Sequence, residues 1–271
     1  MVDIDATQTP LYARNPLERF SDRANDYSKY RPGYPKEAIA LTLSNTLPPQ
    51  ELILADIGAG TGISSRLFAD QGATVWAIEP NAAMRDAAQP HPRVQFRDGT
   101  AEHTGLPDQS VDIITCCQSF HWFEPIATLQ EFHRILKPTG RVVLMWNDRN
   151  LDDEFTHRYS DIIRDTSDRS VFDRKDRKSP DALAHSSLFT NFQRYSFANT
   201  HQLDLDGLIG MVLSKSYTPR EGADYERMVA ELRSLYEQWA EKKGRSPESS
   251  CVSLSYNTKV YIAERLESQV K

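Results

Sequence analysis

The stretch Asp56-Ile57-Gly58-Ala59-Gly60-Thr61-Gly62 places an acid before three alternating glycines, at the point where an apolar run gives way to an amphipathic one. Residues of these types suit a ligand turn. Glycine adopts positive φ and lets a ligand approach the backbone closely, and a helix starting beyond it offers free N–H groups. Dinucleotide turns are spaced G-x-G-x-x-G and hold a pyrophosphate. Here the spacing is G-x-G-x-G, and Asp56 would repel a diphosphate while suiting a ligand with a cationic amine. The plainer reading is that Asp56 caps the turn and the glycines only relieve crowding. A second acid, Glu79, closes the next apolar run. A carboxylate there can accept from both hydroxyls of a ribose.

The elements that must position these groups follow from periodicity and breakers. Residues 1–50 are polar and proline-spotted, with helical stretches expected near Pro16–Asp26 and Pro35–Asn45. Strands are expected at Leu52–Ile57, Thr74–Ile78, Val94–Phe96, Val111–Cys117 and Val142–Trp146. Helices are expected at Gly62–Gln71, after an Asn81 cap through Ala88, and at Pro125–Leu136, where Lys137-Pro138-Thr139-Gly140 stops the helix. Such alternation implies a parallel sheet covered by helices. Beyond Asn147 the rhythm changes: a helix at Asp152–Thr166, a charged loop at Asp173–Lys178, a strand at Phe192–Phe197, helices at Leu205–Leu213 and Tyr225–Lys242, and a last strand at Val252–Ala263. Two late strands separated by helices imply a hairpin carrying an insertion that can cover a pocket.

Composition narrows the function classes. The 271 residues carry a net charge of −6, which gives no overall attraction for nucleic acid. There is no apolar run long enough for a bilayer and no basic segment followed by an apolar core near Met1, so a cytoplasmic location is expected. Three cysteines do not make a disulfide framework, and Cys116 and Cys117 read as core residues on a buried strand. The seven histidines form no close-spaced metal motif, so no metal is expected.

Together with Glu79-Pro80-Asn81, Met84, Gly99-Thr100-Ala101-Glu102, Leu106-Pro107-Asp108-Gln109-Ser110-Val111-Asp112 and Arg134-Ile135-Leu136-Lys137-Pro138-Thr139-Gly140, the glycine turn resembles the class I S-adenosylmethionine-dependent methyltransferases. Tyr30-Arg31-Pro32-Gly33-Tyr34-Pro35, Ser119-Phe120-His121-Trp122-Phe123 and Ser214-Lys215-Ser216-Tyr217-Thr218-Pro219 resemble a small-molecule subgroup similar to trans-aconitate methyltransferase. The resemblance implies an α/β, Rossmann-like doubly wound sheet, mostly parallel with a C-terminal antiparallel hairpin and a helical lid insertion. Residues 1–50 would form part of the active-site cover, 51–198 with 251–271 the cofactor-binding core, and 199–250 the lid.

It also implies roles. Gly58, Ala59 and Gly60 would lie against the methionine part and ribose of S-adenosylmethionine, Asp56 would face its amino group through water, and Glu79 would hold its ribose. Met84 would pack on the adenine, and the Ala101 N–H would meet the adenine edge. Thr100 stands where many relatives carry Asp and offers only one hydroxyl. Gln118 would lie near the methionine moiety. Arg31 would pair with the ligand's carboxylate, unless it is a surface arginine beside a turn.

His121 and Trp122 lie past a strand's C-terminal end, where open α/β sheets place ligands. His121 fits a general base, a substrate-orienting donor or a structural histidine. Trp122 and Trp146 would wall the acceptor pocket or pack in the core, and Tyr30, Tyr34 and Tyr217 are further pocket candidates. The implied reaction is methyl transfer to a small organic acceptor, at a carboxylate or hydroxyl oxygen, without nucleic acid or membrane. The alternatives are a nicotinamide-dependent oxidoreductase and a non-catalytic member of the methyltransferase fold.

Overall fold

The computed structural model describes residues 10–13, 23–167, 179–242 and 251–267. Most of the helical stretch expected near Pro16–Asp26 and all of the charged loop at 173–178 lie outside them. Short helices α1 (Ala24–Tyr30) and α2 (Lys36–Leu43) lead into β1 (Ile53–Ile57), α3 (Ile63–Asp70), β2 (Thr74–Ile78), α4 (Ala82–Asp86), β3 (Val94–Arg97) and β4 (Val111–Cys117). A single turn at Phe120–Trp122 precedes α5 (Pro125–Ile135), β5 (Leu136–Arg149), α6 (Glu154–Thr166) and α7 (Asp181–Ala184). The chain closes with β6 (Phe189–Leu203), α8 (Leu205–Leu213), α9 (Gly222–Lys242) and β7 (Val252–Arg265).

The strands form one seven-stranded sheet in the order β3-β2-β1-β4-β5-β7-β6. β3, β2, β1, β4 and β5 pair in parallel. β7 runs antiparallel to both β5 and β6, which gives the expected hairpin. The central strands read as apolar runs because both faces are covered. Ala55, Ile57, Val142, Leu144 and Trp146 face one core with Phe132 and Ile135 of α5. Leu54, Val143 and Met145 face the other with Phe68 of α3 and Ile39 of α2. Each fully buried aliphatic side chain of this kind contributes roughly 1.5–3 kcal/mol.

Caps mark the helix starts. Asn81 Oδ1 accepts from Met84 N at 3.2 Å, Glu124 Oε2 from Ala127 N at 2.7 Å, Asp153 Oδ1 from Thr156 N at 2.9 Å and Asp204 Oδ1 from Gly207 N at 2.7 Å. Such a cap is worth about 1 kcal/mol.

Three features differ from the sequence expectation. β5 begins at Leu136, directly after α5. The expected stop at Lys137–Gly140 falls within a register irregularity between the pairs Val111↔Leu136 and Ile113↔Arg141, so Pro138 and Gly140 interrupt the ladder rather than precede it. β6 extends to Leu203, so the segment between the hairpin strands starts at Asp204 rather than at 199. Lastly, α6, assigned to the core unit, turns its face toward the insertion: Phe155, Tyr159 and Ile163 share a second core with Leu208, Met211, Leu232, Leu235 and Tyr236 of α8 and α9.

The N-terminal helix clasps this second core. Arg23 donates to the carbonyls of Leu213, Lys215 and Thr218, and the Tyr30 carbonyl meets His201 Nε2 at 3.0 Å. Tyr30 lies flat against α8 at Gly210, where any Cβ would overlap its ring. Gly210→Ala is therefore expected to cost about 1–3 kcal/mol by overpacking, measured as a lower urea midpoint with an unchanged slope.

Candidate functional site

The turn between β1 and α3 is held from every side. Gly58 N and Ala59 N donate to Ile78 O of β2 at 2.9 and 3.1 Å, and Ser119 Oγ donates to Ile57 O at 2.7 Å. Gly58 has φ +66°, and a Cβ there would lie 2.7 Å from Ser119 Cβ and 2.8 Å from Phe123 Cζ. Position 58 therefore excludes a side chain on both grounds.

Two buried carboxylates fix the turn. Asp56, wholly buried, accepts from Ser64 Oγ at 2.7 Å, Ser65 Oγ at 2.6 Å and Thr115 Oγ1 at 2.8 Å. Burial raises its pKa, and these hydroxyls partly offset that. Asp56 thus ties β1 to α3 and β4. It is not among the residues that line the cavity over the turn. Glu79 accepts from Gly60 N through Oε2 at 2.8 Å and from Asn81 N through Oε1 at 3.0 Å. Burial pushes its carboxyl up, against the pull of the Asn81 and Gly60 N–H groups and of Arg85. An ionised carboxylate has about four acceptor positions, so two remain on Glu79.

Over this turn lies a cavity of about 420 Å³, within the size range of ligand pockets. Gly58, Gly60, Glu79, Met84, Thr100, Ala101 and Gln118 line it, as does Trp122. Thr100 Oγ1 is engaged in its own loop, accepting from His103 N at 3.2 Å. Sequence reasoning missed Tyr12, Tyr27, Phe123 and Glu124 on its wall. For the last two, the aromatic-acid pair directly after Trp122 was the available signal.

The loop carrying Thr100 and Ala101 is anchored by the later motif residues. Glu131 Oε1 accepts from Thr104 N at 2.9 Å and Thr104 Oγ1 at 2.6 Å. Arg134 donates to both Glu131 oxygens at 2.8 Å, to Leu106 O at 2.8 Å and to Asp108. Burial pushes the Glu131 carboxyl up, but the Arg134 and Thr104 donors outweigh it and hold it below its ordinary value. Lys137 Nζ meets both oxygens of Asp112, whose Oδ2 also accepts from Ile53 N at 2.9 Å.

A second cavity of about 340 Å³ lies beneath α8 and α6, lined by Tyr217, Arg149, Lys215 and Tyr256 among others. A small cavity of about 30 Å³, lined by Arg31, Tyr34, Ala59, Ser64 and Gln118, lies between the two. Gln118 borders all three. It holds φ +63° at the end of β4, with its N–H donating to Met145 O at 2.9 Å. A non-glycine residue in that region is uncommon and marks a backbone held in place by its surroundings.

The remaining candidates fall elsewhere. Arg31 faces the small and second cavities, not the first; its Nε and Nη2 donate to Ser214 Oγ at 2.9 Å and Ser214 O at 3.0 Å. Tyr30 packs on Gly210 and borders none of the three cavities. Trp146 is completely buried in the sheet core, edge-on to Tyr261 with centroids 5.7 Å apart, and walls no cavity. Its Nε1 donates to His121 Nδ1 at 3.3 Å. That bond assigns the neutral ring's proton to Nε2, and His121 borders none of the three cavities. Among the described residues, no three His, Cys, Asp or Glu side chains converge to hold a metal, and no helix is long and apolar enough to cross a membrane.

The glycine turn, the acid ending β2 and the 3-2-1-4-5-7-6 sheet define a class I S-adenosylmethionine-dependent methyltransferase. The methyltransferase domain family matches residues 55–144, and the chain belongs to the methyltransferases. It is 33% identical over 199 residues to an uncharacterized methyltransferase of Mycobacterium tuberculosis, covering 73% of this chain and 76% of that one. It is 29% identical over 185 residues to an uncharacterized methyltransferase of Schizosaccharomyces pombe, covering 66% and 74%. The Bacillus subtilis YcgJ structure shares the fold with a TM-score of 0.53 at 21% identity, covering 86% of this chain and 99% of that one.

Glu131→Ala is expected to cost about 1–3 kcal/mol, since it leaves the buried Thr104 N–H without its acceptor while Arg134 keeps Asp108 and the Leu106 carbonyl. Chemical denaturation measures the loss.

Proposed function

We propose that this protein binds S-adenosylmethionine over the Gly58–Gly60 turn and catalyses methyl transfer to an oxygen, carboxylate or hydroxyl, of a small organic acceptor. The observation that carries this reading is the meeting of two cavities at Gln118, one over the glycine turn and one under the lid. The donor's needs fit the first cavity. Glu79 retains two acceptor positions for ribose hydroxyls, Met84 offers an apolar face, and Ala101, nearly fully buried, presents its backbone toward the same space. Arg31 and Ser64, beside the small cavity, suit the amino-acid end. When bound, the donor supplies a methyl group on a sulfonium sulfur; forming the new C–O bond breaks the C–S bond and leaves its electron pair on a neutral thioether.

The chain's own residues orient and enclose. Gln118 and Tyr27 border both the first and the small cavity, while Tyr12 and Arg31 of the N-terminal segment and Met211, Lys215 and Tyr217 of the insertion wall the cavities and exclude water. His121 supports Trp122, whose ring centroid lies 5.0 Å away, rather than moving a proton. A carboxylate acceptor needs no base at neutral pH, which accords with that arrangement. The methyltransferase relatives do not favour the nicotinamide alternative.

Isothermal titration with S-adenosylmethionine tests the cofactor reading. Glu79→Gln is expected to weaken binding about 10- to 100-fold, the size of a hydrogen bond to a charged group. Equal binding by both proteins would remove Glu79 from the site. The pH dependence has a definite sign. The ionised carboxylate is the better acceptor, so affinity falls as pH drops through the Glu79 pKa, which burial holds above the ordinary 4.5. The decline therefore begins at a higher pH than for an exposed glutamate, and Glu79→Gln abolishes that part of it. Incubation with methyl-labelled donor and a metabolite extract is expected to label a small product identifiable by mass. Donor binding with no product across extracts would favour a non-catalytic protein.

A further inference from the structure

The second cavity carries a charge pattern that the methyl donor does not require. Arg149, at the end of β5, lies directly opposite Tyr256 on β7, so their side chains project from the same face of the sheet. Tyr256 is 5% exposed and lines the cavity, and its hydroxyl is buried with no hydrogen-bond partner. Burial keeps that phenol protonated, with a pKa pushed up to about 12 although Arg149 and Arg31 pull it down. It is therefore a donor without a protein acceptor, on a side chain of the cavity wall. Polar groups buried in this way normally find a partner.

The roof adds a cation. Lys215 is 5% exposed, and its Nζ donates to Tyr159 Oη at 3.0 Å and to Met211 O at 3.2 Å, two neutral oxygens. Arg31 and Arg164 also face the cavity, against Asp148 and Asp161. Arg164 bonds Asp161 at 2.7 Å, and His157 lies 3.6 Å from the same carboxylate, so that acid is matched locally. Leaving Arg31 to the donor, the described lining carries Arg149, Arg164 and Lys215 against Asp148 and Asp161. The volume of about 340 Å³ equals roughly eleven water molecules at ~30 Å³ each, which suits a small organic molecule.

We infer that this cavity is the acceptor pocket and that it selects a small organic anion, whose carboxylate or phosphate group is held by Lys215, Arg149 and the Tyr256 hydroxyl. The opposite end of the acceptor then points past Asn147 toward Gln118, where the first cavity begins. Charge-assisted bonds from a lysine, an arginine and a phenol orient an anion and favour it over its neutral counterpart, whose bonds to the same donors are weaker. The inference rests on the methyl-transfer reading, since it assumes that the donor fills the first cavity.

The test titrates the full-length protein, saturated with S-adenosylhomocysteine, with glutarate, phenylacetate and glycerol 3-phosphate, and with glutaramide and phenylacetamide as neutral counterparts. At least one acid is expected to bind about tenfold more tightly than the neutral probes. Tyr256→Phe, which removes one oxygen and keeps the ring, is expected to weaken that acid about tenfold, and Lys215→Met more. S-adenosylhomocysteine affinity in each variant reports whether it is folded. A preference for glutarate or phenylacetate assigns a carboxylate, and a preference for glycerol 3-phosphate assigns a phosphate. Equal binding of acids and amides, no binding of any acid, or acid affinity unchanged in Tyr256→Phe would overturn the anion pocket. Failure of the unmodified protein to bind S-adenosylhomocysteine would instead overturn the methyl-transfer reading itself.

Discussion

Two buried carboxylates fix a turn that has no room for a side chain at Gly58. Asp56 gathers hydroxyls from α3 and β4, and Glu79 takes the N–H groups of Gly60 and Asn81. Without Asp56, three buried hydroxyls would lose their acceptor; without Glu79, two backbone donors at the sheet's edge would. Each acid carries a desolvation cost that its donors only partly offset, which is why both titrate above their ordinary values. A carboxylate whose folded pKa is raised favours the fold most below its unfolded value, and that advantage fades as pH rises through the folded one. Neither acid is therefore a source of stability at neutral pH. Both spend stability on geometry, and the cavity over Gly58 is what results.

The rest of the architecture depends on that turn. β1 and β2 deliver Asp56 and Glu79 to adjacent strand ends, since Asp56 pairs with Ala77 and Ile57 with Ile78. β4 brings Thr115 beside Asp56 and then releases the chain at Gln118 with a positive φ. α5 secures the loop under Thr100 and Ala101 through Glu131 and Arg134. The second core, built from α6, α8 and α9, sets a roof over the ends of β5 and β7. The N-terminal helix then locks that roof through Arg23, Arg31 and Tyr30.

Local patterns were legible and long-range ones were not. Thr74–Ile78 is a strand bounded by Gly72 and Pro80, and the structure shows those bounds. Gly58, Gly60, Glu79, Met84, Thr100, Ala101 and Gln118 come from short segments at strand ends, so a single sheet brings them together. β6 was under-read because Asn199, Thr200, His201 and Gln202 look like loop residues. On this edge strand, Asn199 and His201 instead bind the carbonyls of Gly33 and Tyr30. Trp146, left open between pocket wall and core, packs in the core because a strand alternates faces and its face is covered by α5. Arg149 and Tyr256 carry no local signal, and Lys215 only its place in the stretch Ser214–Pro219: antiparallel pairing and lid packing bring them together. The hydroxyls around Asp56 were equally hidden, since serine and threonine on a helix start read as surface.

A crystal structure with S-adenosylhomocysteine bound tests the central claim most directly. The account predicts the ribose hydroxyls on Glu79, the adenine beside Met84 and Ala101, and the sulfur turned toward Gln118 and the second cavity. A ligand seated away from the Gly58–Gly60 turn, or one whose sulfur faces solvent rather than Gln118, would contradict it.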